Sequence, residues 1–145
     1  MMTEKSAGFI LITDDFETDD YSVLLLHYTS GHWDFPKGNI ETNENELQAA
    51  TRELQEETGI ETFRVIPNFR YVLNYKYIRK TMVISKRVTL FLASTGVRKV
   101  KISHEHIGYS WVKKSDATTQ LTYKNAKNAL TQAINFLETP SSNIQ

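Results

Sequence analysis

Apolar positions in this chain follow two periods, one near two residues and one near 3.6. AGFILIT (Ala7–Thr13) and SVLLLH (Ser22–His27) are β-branched and leucine-rich runs bounded by polar residues, which predicts two strands. DDFETDDY lies between them and predicts a solvated connection, since it has neither the glycine nor the terminal glutamate of a calcium-binding loop. Phe63–Tyr77 and Met82–Thr95 predict two long strands, paired antiparallel through Tyr77–Thr81. Gly108–Val112 predicts one more short strand.

The helical period governs two stretches. In residues 38–60, GNIETNENELQAATRELQEETGI, Asn43 is the expected N-cap and Glu46 the expected partner in a capping box. Gly59 suits the left-handed residue that closes a helix. Leu47, Ala50 and Leu54 share a face that predicts packing on a sheet. Near the end, Ala126, Ala129, Leu130, Ala133, Ile134 and Leu137 form an apolar stripe, followed by a frayed tail over residues 140–145. Strands and helices interleave, so the expected class is α/β (α+β): a mixed sheet covered by helices, in one domain over residues 1–145.

Composition narrows the function classes. At 145 residues the chain is long enough for one core and short for two. Lys+Arg and Asp+Glu are both 17, so net charge gives no general attraction to nucleic acid or acidic membranes. Cysteine is absent, which removes disulfides and thiolate metal sites and fits a reducing compartment. The apolar run near the start is too short for a signal core or membrane span, so a cytoplasmic protein with no membrane partner is expected. No basic stripe points to DNA.

The predicted first helix carries a charge problem. Glu53, Glu56 and Glu57 are related as i, i+3 and i+4, and the like-charge pair Glu53/Glu57 costs a few tenths of a kcal/mol on an exposed helix. A solvated face tolerates that cost. A hard divalent cation would instead turn the repulsion into coordination.

The neighbouring residues favour the cation. Gly38, five residues, Glu44, seven residues and then RELQEETGI match the Nudix box at nine fixed positions over 23 residues. The chain therefore resembles the Nudix hydrolases. That resemblance implies a mixed β-sheet sandwiched between helices, with the box forming loop, helix and loop. It implies Mg²⁺ or Mn²⁺ held by Glu53, Glu56 and Glu57 with the Gly38 carbonyl, Arg52 positioning the glutamates and Glu44 bracing the box. Where the family usually has Pro-Gly before the first box glutamate, this chain has Thr42-Asn43. Asparagine also tolerates turns, so the loop is expected to survive.

Outside the box, HWDFPKGNIE, LNY, KRVTLFLA and SHEHIGYSWV are together similar to the asymmetrical diadenosine tetraphosphate hydrolases, over nearly the whole chain. This implies phosphate contacts from His32 and Lys37, an adenine contact from Tyr75 and a polyphosphate contact from Lys86. Tyr123 would cover the other side of a base, while Trp33 and Phe35 are read as packing. The hairpin before Lys86 is a few residues longer than usual in the family.

In SHEH, an extended backbone would point His104 and His106 one way and Glu105 the other. An H-x-H pair can bind zinc, but the sequence shows no third ligand. The resemblance places Glu105 at the metal cluster, as an extra ligand or as the base for water.

The expected activity is metal-dependent hydrolysis of diadenosine tetraphosphate to ATP and AMP by water, with Glu57, Glu53 or Glu105 handling its proton, in a monomer. Other Nudix substrates form the first alternative: RNA 5′ ends, nucleoside triphosphates or diphosphoinositol phosphates. A non-catalytic nucleotide-binding protein on the same fold is the second, and the complete box argues against it.

Overall fold

The computed structural model describes residues 2–139. Its central strand is β1 (Met2–Thr13). On one edge β1 runs parallel to β6 (Met82–Thr95) along its full length; on the other it meets β2 (Ser22–Tyr28) and β4 (Lys37–Asn39) antiparallel. Outside β6 lies β5 (Arg64–Arg79), and beside β2 lie β3 (Trp33–Asp34) and β7 (His106–Lys113). The result is a seven-stranded mixed sheet in which β1/β6 is the parallel pair.

Side-chain alternation divides β1 and β2 between two cores. Phe9, Leu11, Leu24 and Leu26 face α1 (Glu46–Thr58), which contributes Ala49, Ala50 and Leu54. Ile10, Ile12, Val23 and Leu25 face the opposite core, where α2 (Lys114–Gln120) and α3 (Lys124–Leu137) add Ala117, Ala126, Ala129 and Ala133. Burial on both faces explains why these strands read as unbroken apolar runs. Each such Leu or Ile contributes roughly 1.5–3 kcal/mol. The helix–sheet–helix sandwich is the expected fold.

Several details differ from the sequence reading. The N-cap of α1 is Asn45, whose side chain accepts from Gln48 N while Gln48 Oε1 accepts from Asn45 N. Asn43 adopts a left-handed turn instead (φ 70°), and Glu46 is taken up by Arg70 and Thr89. Leu47 is 40% exposed; the buried stripe runs through Ala49, Ala50, Leu54 and Thr58. The β5–β6 hairpin extends to Arg79 and Met82 and closes on Lys80-Thr81, both with positive φ as a two-residue hairpin turn requires. α2, β3 and β4 carry too little periodic pattern to have been predicted. The tail reading at 140–145 lies outside the described residues, among which no helix is long and apolar enough to cross a membrane.

Candidate active site

α1 presents its three glutamates to different surroundings. Glu57 is only 3% exposed, Glu53 is largely buried and Glu56 stands in solvent. Burial raises the Glu57 pKa to about 8, with Glu53 and Glu105 adding to the effect. Burial also raises that of Glu53, against the pull of Arg52.

Arg52 organises the helix surface. Its Nε and Nη2 donate to the two oxygens of Glu44 (2.7 and 3.0 Å), and Nη1 donates to Glu53 Oε2 (2.9 Å) and Glu56 Oε1 (3.2 Å). Nη2 also reaches the Asn39 carbonyl at 2.9 Å, tying the helix to β4. Glu44 accepts in addition from Glu41 N. The planar guanidinium thus fixes four separate groups.

β4 supplies the opposite wall. A Cβ on Gly38 would stand 2.1–2.4 Å from the Glu53 carboxyl group, so only glycine lets that carboxylate lie against the strand. Next to it, Lys37 N–H donates to Glu57 Oε1 at 3.0 Å.

The Lys37 side chain turns the other way, into a cleft of about 590 Å³ that His32, Tyr75, Lys86 and Tyr123 also line. All five residues expected at a substrate come together there. Tyr75 and Lys86 are direct cross-strand partners. His32 stacks on Tyr28 (centroids 4.6 Å apart) and lies 5.3 Å from the half-exposed Tyr123 ring. Burial lowers the pKa of Lys86, with Lys37 adding to it and Glu4 opposing. Burial also works against the Lys37 charge, but Asp34, Tyr75 and Glu57 overcome it and leave its pKa raised.

Two polar groups here escaped the sequence reading, and a third, His106, was misread. Asp34 Oδ2 stands 3.7 Å from Lys37 Nζ; the i, i+3 spacing in DFPK was the available signal. Glu4 Oε1 lies 3.5 Å from Lys86 Nζ, on the part of β1 that precedes the predicted strand. His106 is buried, whereas His104 is exposed. The two histidines do not share one side, because 103–105 form a turn closed by His106 N donating to Ser103 O. Glu105 sits exposed on that turn, close enough for its charge to act on both Glu53 and Glu57.

This donor set fits a hard divalent cation. Glu57 and Glu53 offer carboxylate oxygens largely held out of water, and the Glu53 charge raises the cost of ionising Glu57, which a cation would relieve. Among the described residues no three acidic or histidine side chains form a finished cage. Glu56 in particular is turned out to Arg52, 59% exposed.

Comparison with known proteins points to one family. A family profile described as NUDIX domain matches residues 2–133. The asymmetrical bis(5′-nucleosyl)-tetraphosphatase of Mus musculus is 38% identical over 146 residues, covering 94% of this chain and 97% of the relative. The enzyme of the same name from Rattus norvegicus is 38% identical over 118 residues, 79% of each chain. Among solved structures, a C. elegans Ap4A hydrolase binary complex superimposes with a TM-score of 0.76 at 28% identity, covering 92% of this chain and 97% of that one.

Proposed function

The chain belongs to the Nudix family, and on that premise we propose that it hydrolyses diadenosine tetraphosphate to ATP and AMP. One observation carries the proposal. Lys37 joins the two halves of the site, its side chain in the cleft with Tyr75, Lys86 and Tyr123, and its amide on Glu57. A polyphosphate lying along Lys37 and Lys86 therefore comes up against the box carboxylates. The names of the mouse and rat relatives favour a dinucleoside tetraphosphate over other polyphosphates.

In this reading Lys37, Lys86 and His32 hold phosphate oxygens, and Tyr75 and Tyr123 stack on adenine. Glu53, Glu57 and the Gly38 carbonyl would hold Mg²⁺ or Mn²⁺, joined by Glu56 once it turns from Arg52, with Glu105 beside them. When bound, that cation neutralises phosphate charge and lowers the pKa of an attacking water. Arg52 keeps Glu53 aimed inward. A carboxylate, Glu57, Glu53 or Glu105, takes the proton as the water oxygen bonds to phosphorus. The bridging P–O bond between the first and second phosphates breaks, so that ATP and AMP separate.

The test is a substrate panel with Mg²⁺, read by product identity. Equal amounts of ATP and AMP from diadenosine tetraphosphate, at a kcat/KM above those for other polyphosphates, is the expected result. Preferential release of pyrophosphate from triphosphorylated RNA would replace this reading with RNA-end hydrolysis.

A further inference from the structure

The His106 imidazole is wholly enclosed at the start of β7, and its Nε2 is buried without a hydrogen-bond partner. The ring is packed edge-on against Tyr28, with centroids 4.4 Å apart. Its Nδ1 lies 3.0 Å from Ser103 Oγ. Ser103 Oγ also accepts from Glu105 N at 3.4 Å. The hydroxyl has one proton, which it can donate to Nδ1. With Nδ1 an acceptor, the neutral ring carries its proton on Nε2.

Nε2 lies 3.9 Å from Glu57 Oε2, just beyond hydrogen-bond range. The other oxygen of the same carboxylate is already held by the Lys37 amide. A buried carboxylate requires a donor for each oxygen if it is to be ionised. One oxygen has its donor, and near the other lies a buried ring nitrogen with no partner of its own.

We propose that His106 is a positioning residue for Glu57: as the carboxylate ionises, Oε2 closes the 3.9 Å gap to the Nε2–H that Ser103 orients, while Lys37 N–H holds Oε1. The carboxylate is then clamped in one plane when it ionises. The same turn carries Glu105, so the Ser103–His106 turn sets both Glu57 and Glu105 from β7, opposite the Arg52 network that sets Glu53. The inference rests on the reading of Glu57 as a cation ligand. A ligand whose partner orients it binds its metal on the order of 10- to 100-fold more tightly than one left free.

The experiment compares the native chain with His106→Gln and His106→Asn, using Mn²⁺ as the probe by calorimetry, plus imidazole ¹⁵N NMR of the native chain. Glutamine can place an N–H near the Nε2 position, whereas asparagine reaches only the Nδ1 position. The expected spectrum shows the Nε2–H tautomer for His106. The expected affinities fall about 10-fold or more in His106→Asn, and His106→Gln recovers most of the loss, at equal thermal midpoints. A Nδ1–H tautomer, or equal Mn²⁺ affinity in all three proteins, overturns the positioning role. Absence of Mn²⁺ binding by the native chain would instead overturn the cation reading of Glu57, so the two failures are distinct.

Discussion

Lys37 N–H and Glu57 Oε1 are joined at 3.0 Å, a hydrogen bond across 20 residues of sequence. It links the strand that bears a cleft-lining cation to the most deeply buried carboxylate of α1. Any motion of β4 that displaces the lysine also removes a donor from Glu57. The position of the cleft-lining lysine and the setting of the buried carboxylate are therefore mechanically coupled in this fold.

The Glu57 pKa gives a pH signature. Burial is the main cause of its rise to about 8, followed by Glu53. A carboxyl whose folded pKa exceeds its unfolded value costs nothing below the unfolded value; it costs stability as pH climbs through the window up to the folded value. The cation-free protein should lose thermal stability from the ordinary carboxylate range up to about pH 8. Glu57→Gln should flatten that fall, and Mg²⁺ should offset it in the native chain. Melting curves against pH check this, and parallel profiles for the two proteins would count against the buried charge. Activity of Glu57→Gln should fall on the order of 100-fold or more.

Gly38→Ala separates function from stability. The new methyl collides with the end of the Glu53 side chain, which can swing away, so the melting temperature should change little. The displaced carboxylate should cost about 10-fold or more in kcat. Gly8→Ala is the control, because its Cβ would meet the Pro36 carbonyl at 2.2 Å and Lys37 Cβ at 2.5 Å. That overpacking should cost about 1–3 kcal/mol in a denaturation experiment.

Arg52→Lys keeps the charge and loses the fork that reaches Glu44, Glu53, Glu56 and Asn39. The lysine ammonium still leaves a positive charge beside Glu44 and Glu53, so the fold should hold. Mn²⁺ affinity and kcat should each fall about 10-fold. A lysine variant with native kinetics would show that Glu53 needs no guanidinium.

Tyr75→Ala and Tyr123→Ala should act on binding. Stacking of roughly 1–3 kcal/mol per base predicts a KM increase of about 5- to 150-fold with kcat less affected. Phenylalanine at either position should restore KM. A fall confined to kcat would remove the tyrosines from base recognition.

Much of this site was legible because residue type and spacing were tied to one local element. Residues 38–60 form a strand, a loop and a helix, so Arg52, Glu53 and Glu57 could be placed from the box pattern. The two-residue turn at Lys80-Thr81 sets Tyr75 opposite Lys86 by simple counting once the hairpin is known. The N-cap was missed because Asn43 and Asn45 are both competent caps, and only the left-handed turn at Asn43 decides between them. His106 was misread because alternation assumes an extended chain, and a turn at 103–105 breaks the period. The role of Glu4 depends on parallel pairing with β6, which brings Lys86 from 82 residues away.

The central claim is that buried box carboxylates hold a divalent cation beside a cleft for polyphosphate. The most direct measurement is ³¹P relaxation of a non-hydrolysable diadenosine tetraphosphate analogue, titrated with Mn²⁺ in the presence of the protein. The account predicts strong broadening of the analogue's phosphorus signals with the native chain, and its loss with Glu57→Gln. Equal broadening with both proteins, or none with the native chain, would contradict it.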